Sequence, residues 1–449
     1  MNKLRWLSAK NALKSKRKQE LFSRATGSYN KSIALIDHRG DMNRTGYLFS
    51  IATIGLFLFV VDWYTVQGVR TLVYGPASAG GILAAGLGVF LLLVTLAVFA
   101  GISFIRRSGS TPALVRVVLH AFLILFVAQL VLMGVLLTED VFRVIAAAVT
   151  DSDLPSRSRL ISQVGAALAS LPMLALVYGV AKGRHDYRVH RHTIWFDDLP
   201  EAFDGFRITQ ISDIHAGGLR NRKAVERAVG LINAQQSDLF VFTGDLVNNR
   251  ADEIEPWIDT FSRIEAPYGK YAVLGNHDYG DYIAWPTMRA KEANLERLAR
   301  HHATMGHRLL MNESVRIEKD GAFITLIGIE NWGQGFSQYG NLRKALERVD
   351  PNSFKVLLSH DPSHWSAEVK HHQYHIHLTL AGHTHGMQFG IEVGRMRWSP
   401  VKYRYSHWAG LAGEDSRYLH INRGFGVLAY EGRFGIWPEI TVIELRRRS

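Results

Sequence analysis

The chain has no cysteine among its 449 residues. That absence excludes disulfides, thiolate metal ligands and cysteine nucleophiles. Acidic residues are scarce in the first part. Residues 1–194 hold 22 Lys/Arg against 9 Asp/Glu, a net +13. Residues 195–449 hold 30 against 31, a net −1. The formal charge of +12 and the pI near 9.7 therefore belong to the first part. A basic chain raises nucleic acid as a partner. Here the near-neutral part carries the chemistry, so no nucleic acid is expected and strong phosphate-backbone binding is disfavoured.

Four long stretches lack any charge: residues 46–61, 71–105, 117–138 and 160–181. A membrane-spanning helix needs roughly 20 apolar residues, and four such runs in succession predict four transmembrane helices. The polar residues 1–44 before the first run argue against a cleaved signal peptide. That leading segment holds eleven Lys/Arg, among them Lys14, Lys16, Arg17 and Lys18. Arg106 and Arg107 lie between the second and third runs, and Lys182, Arg184, Arg188 and Arg191 follow the fourth. The first connection has only Arg70, and in the third Glu139, Asp140, Asp151 and Asp153 offset Arg143, Arg157 and Arg159. The alternation predicts a multi-pass cell (inner) membrane protein with both termini cytoplasmic. Its first partner is the lipid bilayer, with the basic tail on anionic headgroups. His120 and Gln129 inside the third run are expected to make hydrogen bonds between helices. The expected division is a basic cytoplasmic tail (1–44), four transmembrane helices (45–182), a linker (183–204) and a catalytic domain (205–449).

From residue 206 short apolar runs alternate with helical patterns. Strands are expected at 207–212, 239–243, 271–274, 354–358, 378–381, 418–422 and 440–445. Helices are expected at 223–234, 254–264 and 288–303, and a hairpin turns at Asp320-Gly321. This is an α/β pattern. Asp213, Asp245, Asn276, His360 and His383 each follow an apolar strand. Ligands of open α/β sheets bind beyond the carboxyl ends of strands, so these separated segments are expected to meet at one edge.

The segments are Asp213-Ile-His215, Gly244-Asp245, Gly275-Asn276-His277-Asp278, Ser359-His360 and Gly382-His383-Thr-His385. They supply carboxylate, amide oxygen and imidazole, enough for two divalent ions. One ion is expected on Asp213, His215, Asp245 and His385, the other on Asp245, Asn276, His360 and His383. Asp245 bridges, because a carboxylate can span ions roughly 3.5–4 Å apart. Ligation by O and N without sulfur suits Mn²⁺, Fe, Zn²⁺, Co²⁺ or Mg²⁺. Such a pair activates a hydroxide for in-line attack on a phosphoester or pyrophosphate. Arg423 is a candidate contact for a further phosphate. His371, His372, His375 and His377 are read as bystanders.

The ordered motifs, with Gly382 to Gln388 and the later Asn422-Arg423-Gly424, resemble the calcineurin-like metallophosphoesterase superfamily over residues 205–445. They look like its membrane-linked branch, which is similar to the phosphoesterases that cleave UDP-2,3-diacylglucosamine. The resemblance implies a four-layered α/β/β/α sandwich, here preceded by an all-α transmembrane domain. It implies a metal-dependent phosphohydrolase acting on a lipid-linked or nucleotide substrate, with the seven ligands above. His277 matches the catalytic histidine that donates a proton to the leaving oxygen. Many relatives carry Gly-Asp-x-x-Asp, whose last aspartate orients that histidine. Here the position is Asn248, which is expected to accept the same hydrogen bond, with Asp278 compensating. The alternative function is a membrane sensor or interaction protein that binds metal with weakened catalysis.

Overall fold

The computed structural model describes residues 44–72, 77–108, 112–394 and 396–448. The basic tail falls outside the described residues. Helices α1 (Arg44–Leu72), α2 (Ala77–Ser108), α3 (Ala113–Thr150) and α4 (Arg159–Ala181) occupy the four charge-free runs. All four are long and apolar enough to cross a membrane. Helix α3 outlasts its charge-free run by twelve residues. Glu139 and Asp140 do not stop it, because Arg157 pairs with both at 3.0 and 2.8 Å. Paired charges remove the cost of carrying them along an apolar helix.

The chain packs as two units. One takes the described residues up to Thr95 together with Leu132–Gln163. In it α1 and α3 touch at Gly68, where a Cβ would come 2.7 Å from Leu136. The other takes Leu96–Val131 and Val164–Ser449, the halves of α2, α3 and α4 nearest the α/β domain together with that domain.

Two six-stranded sheets build the α/β domain. The first runs β1 (Arg188–Phe196), β14 (Glu439–Arg447), β2 (Arg207–Ile211), β3 (Leu239–Phe242), β4 (Lys270–Ala272), β5 (His307–Leu309). The second runs β12 (Gly410–Glu414), β13 (Arg417–Ile421), β9 (Leu378–Ala381), β8 (Lys355–Leu358), β7 (Ala322–Gly328), β6 (Glu313–Lys319). Strands β2, β3 and β4 are mutually parallel, as are β7, β8 and β9. Helices α5 (Arg222–Asn233), α6 (Ile258–Ser262) and α7 (Met288–Thr304) cover the first sheet. Helices α8 (Leu342–Leu346) and α9 (Ser363–Ala367) cover the second.

Period-two alternation assigns the layers. Phe240 and Phe242 of β3 pack with Val225 and Val229 of α5. Leu239 and Val241 face the other way, onto Leu326, Val356 and Leu378 of the second sheet. Ile327 and Leu357 turn outward to Leu342 and Trp365. The result is the α/β/β/α sandwich.

The expected linker, 183–204, is corrected. Its residues Arg188–Phe196 form an edge strand paired in parallel with β14 over nine residues. Only Ile194 and Phe196 of that strand are fully buried, so its outward arginines and histidines read as polar connection. The expected helix at 254–264 is a 3₁₀ turn, Ala251–Trp257, followed by α6, because Pro256 lacks the N–H an α-helix needs there.

Candidate metal centre

The seven expected ligands meet at one edge of the sandwich. Asp213 and His215 follow β2, Asp245 follows β3, Asn276 follows β4, His360 follows β8 and His383 follows β9. Gln210 ties the sheets just below, its amide donating to Ala381 O at 2.8 Å and Thr243 Oγ1 at 3.0 Å. Asp213, His215, Asp245, His383 and His385 all adopt φ between 44° and 71°. Left-handed backbone at non-glycine residues costs on the order of 1–3 kcal/mol each and gathers at functional sites. At Gly244, φ is 100° and a Cβ would lie 2.6 Å from Gly275 N and 2.8 Å from His360 Nδ1. Only glycine fits there.

Two clusters of donor atoms result: Asp213, His215 and His385, and Asp245, His360 and His383. The hydrogen bonds around them fix where the lone pairs point. His360 Nδ1 donates to Thr243 O at 2.7 Å, which leaves Nε2 bare. His383 Nε2 lies 3.0 Å from Tyr405 Oη and 3.4 Å from Asp361 Oδ2, which leaves Nδ1 bare. Asn276 Nδ2 donates to Tyr282 Oη at 2.7 Å, which turns its Oδ1 inward. His383 Nδ1 then sits 2.9 Å from Asn276 Oδ1 and 3.2 Å from His360 Nε2, and His360 Nε2 sits 3.2 Å from Asp245 Oδ2. Four side-chain atoms of the kind that ligate metals thus converge, and this group could hold a cation. Burial opposes charge on His360, but the Asp245 carboxylate overrides it and holds the imidazole up at about 10, so positive charge, as a proton or a cation, is favoured beside Asp245. Burial also favours a neutral Asp245, yet His360, His277 and His215 hold it well below the usual carboxylate range.

In the first cluster His215 Nδ1 donates to Asn248 Oδ1 at 3.0 Å, and its buried Nε2 has no hydrogen-bond partner. His385 Nε2 lies 3.4 Å from Asp213 Oδ1. Buried Arg433 places Nη2 3.1 Å from His385 Nδ1.

Three expectations are corrected. The Asn248 side chain orients His215, not His277. His277 Nδ1 donates instead to the backbone carbonyl of Asn248 at 2.8 Å. Asp278 does not compensate at His277. Its carboxylate accepts from the backbone N–H groups of Asp245, Leu246, Val247 and Gly275, and so fixes two ligand loops. Arg423 is not available to substrate. It is fully buried, with Glu439 at 2.6 Å and Glu392 at 2.5 Å neutralising it.

Tyr282, Asp361 and Arg433 went unread in the sequence. Asp361 is adjacent to His360, and a carboxylate behind a metal-ligating imidazole is a recurring arrangement. Tyr282 carries no comparable signal. Among the described residues, none of His371, His372, His375 and His377 joins a metal cluster.

Residues 206–387 match the family model described as "Calcineurin-like phosphoesterase". Residues 44–184 match "Probable Calcineurin-like phosphoesterase, transmembrane domain". The chain carries a calcineurin-like phosphoesterase domain joined to a transmembrane domain of the same enzymes. It is a phosphoester hydrolase of the membrane. The phosphoesterase is 29% identical over 276 residues to the uncharacterized metallophosphoesterase YkuE of Bacillus subtilis, covering 60% of this chain and 90% of that one. It is 26% identical over 281 residues to a zebrafish (Danio rerio) transmembrane protein with metallophosphoesterase domain, 60% of each. It is 26% identical over 273 residues to the UDP-2,3-diacylglucosamine pyrophosphatase LpxG of Chlamydia trachomatis, 51% of this chain and 81% of that one.

Proposed function

We propose that this phosphoesterase hydrolyses a phosphoester or pyrophosphate bond of a lipid-linked substrate at a binuclear metal centre on the cytoplasmic face of the membrane. The observation that carries the reading is the convergence of Asp245, Asn276, His360 and His383 side-chain oxygens and nitrogens at 2.9–3.2 Å beside the Asp213, His215 and His385 cluster. Asp213, His215, Asp245 and His385 would hold one divalent ion, and Asp245, Asn276, His360 and His383 the other. Bound there, the ions would supply a hydroxide nucleophile near neutral pH and positive charge for the phosphoryl oxygens.

The remaining work falls to the chain. His277 is half-buried at the rim, its backbone N–H donating to Asp245 Oδ1 at 2.9 Å. With Nδ1 held by the Asn248 carbonyl, Nε2 is the nitrogen left to serve the leaving group. That nitrogen hands its proton to the leaving oxygen. Tyr282 packs its ring 4.5 Å from His277 and holds the Asn276 amide in its ligating orientation. The lipid character follows from the four spanning helices and from the similarity to the chlamydial UDP-2,3-diacylglucosamine pyrophosphatase. The cytoplasmic placement follows from the Lys/Arg alternation.

The test is turnover of bis-p-nitrophenyl phosphate and of a lipid pyrophosphate by full-length purified protein with Mn²⁺. Asp245→Ala and His383→Ala are expected to abolish both activities. Undiminished hydrolysis in both variants refutes the centre.

A further inference from the structure

A cavity of about 620 Å³ opens beside Asn248 and Gly217. Asn248 is the residue whose amide holds metal-cluster His215. One wall comes from the spanning helices, through Ile105 of α2 and Leu119 and Leu123 of α3. The facing wall comes from phosphoesterase loops, through Gly218, Ile283 and Val427. Both walls lie within the same packed unit. The loop is fastened to the helix: His120 Nε2 accepts from Glu431 N at 2.8 Å, and Tyr430 Oη donates to Leu176 O. His120 thus serves the catalytic domain and not another spanning helix.

Guanidiniums gather at the polar end of the cavity. Glu431 is shared by Arg116, Arg184 and Arg220 at 3.5, 3.1 and 3.0 Å, with guanidinium side chains 31%, 16% and 35% exposed. Glu253 is also in the wall. Its carboxylate is taken by the backbone N–H groups of Asn248, Asn249 and Arg250.

We infer that this cavity receives the part of the substrate beyond the scissile phosphate, and that this part is an acyl or alkyl chain with an anionic group. The chain lies along Ile105, Leu119 and Leu123. The anionic group meets the Arg116–Arg184–Arg220 cluster. The inference rests on the phosphoesterase reading above and names its substrate class, a phosphorylated amphiphile. Its physical basis is desolvation. Drawing an alkyl chain out of a bilayer exposes every methylene to water. A wall made by the spanning helices themselves lets the chain stay in apolar surroundings while its phosphoryl group reaches the Asp245 centre.

Two experiments on the full-length protein test it. The chain lacks cysteine, so Leu123→Cys gives one thiol for a fluorophore. In phosphatidylcholine vesicles, phosphatidic acid with brominated acyl chains is expected to quench that fluorophore saturably. Decyl phosphate is expected to relieve the quench, and inorganic phosphate is not. Quenching that fails to saturate, or that matches brominated phosphatidylcholine, overturns the proposal. The second experiment compares decyl and methyl p-nitrophenyl phosphate, which share the scissile bond. Leu119→Trp, which fills the cavity, is expected to lower the decyl-to-methyl ratio of kcat/KM at least tenfold. An unchanged ratio overturns the proposal. Failure of the phosphoesterase reading is distinct: neither ester would turn over in the parent protein, and the quenching result would still decide the cavity.

Discussion

Replacing Asp361 by asparagine should weaken one of the two metal sites and leave the other intact. Asp361 is fully buried, with Oδ1 accepting from Ser363 N at 2.8 Å. Its Oδ2 lies 3.4 Å from His383 Nε2 and 3.4 Å from Tyr405 Oη, and Tyr405 Oη lies 3.0 Å from the same Nε2. Carboxylate and phenol together keep the His383 proton on Nε2 and the lone pair on Nδ1. Loss of such a partner behind a ligating histidine typically costs 10- to 100-fold in metal affinity, about 1.4–2.8 kcal/mol. Asp361→Asn retains volume and the Ser363 contact but loses the negative charge, so the upper half of that range is expected. Tyr405→Phe removes one hydrogen bond of about 1 kcal/mol, roughly fivefold in affinity. The assay is calorimetric titration of Mn²⁺ into metal-stripped full-length protein, read as two binding steps. Only the step that involves His383 should weaken, and more in Asp361→Asn than in Tyr405→Phe. Equal weakening of both steps, or of neither, refutes the assignment of His383 as a ligand through Nδ1.

Arg423→Ala should act on stability and not on substrate binding. It strands buried Glu439, while half-buried Glu392 keeps Arg397 at 3.1 Å, and breaking a buried pair costs about 3–5 kcal/mol. A fall in Tm of roughly 10 °C with KM unchanged in the folded fraction is expected, whereas a raised KM with unchanged Tm would restore Arg423 to the substrate. Acid should destabilise the phosphoesterase domain through buried histidines outside the centre. Burial holds His302 and His420 down at about 3 and His377 at about 4. They stay neutral in the fold, while the unfolded chain gains protons below about 6.5. Stability is therefore full above that pH and falls by about 1.4 kcal/mol per pH unit for each histidine as acid is added. Urea midpoints that stay flat between pH 7 and pH 5 would contradict this.

The spanning helices were legible because a charge-free run of twenty residues has few other fates in a folded chain. Strands β3, β8 and β9 were legible for a related reason, since each is buried on both faces and reads as a mainly apolar run. Edge strand β1 was not, because it buries few residues and its outward positions carry arginine and histidine. The centre divides in the same way. The atoms that would touch an ion must be carboxylate, amide or imidazole, so those positions announce themselves. The groups that aim them need only offer a donor or acceptor in the right place. A backbone carbonyl does this for His277, a tyrosine for Asn276, and an asparagine for His215.

The charge-free runs by themselves determined the membrane half, and the order of the motifs, each after an apolar strand, pointed to the α/β class and to seven candidate donor residues. Which nitrogen of each imidazole faces the clustered side chains, the structural fate of Arg423, and the cavity shared by helices and catalytic loops were decided only by tertiary packing. Chemical identity is written in the chain one residue at a time, but orientation and burial depend on neighbours tens or hundreds of positions away.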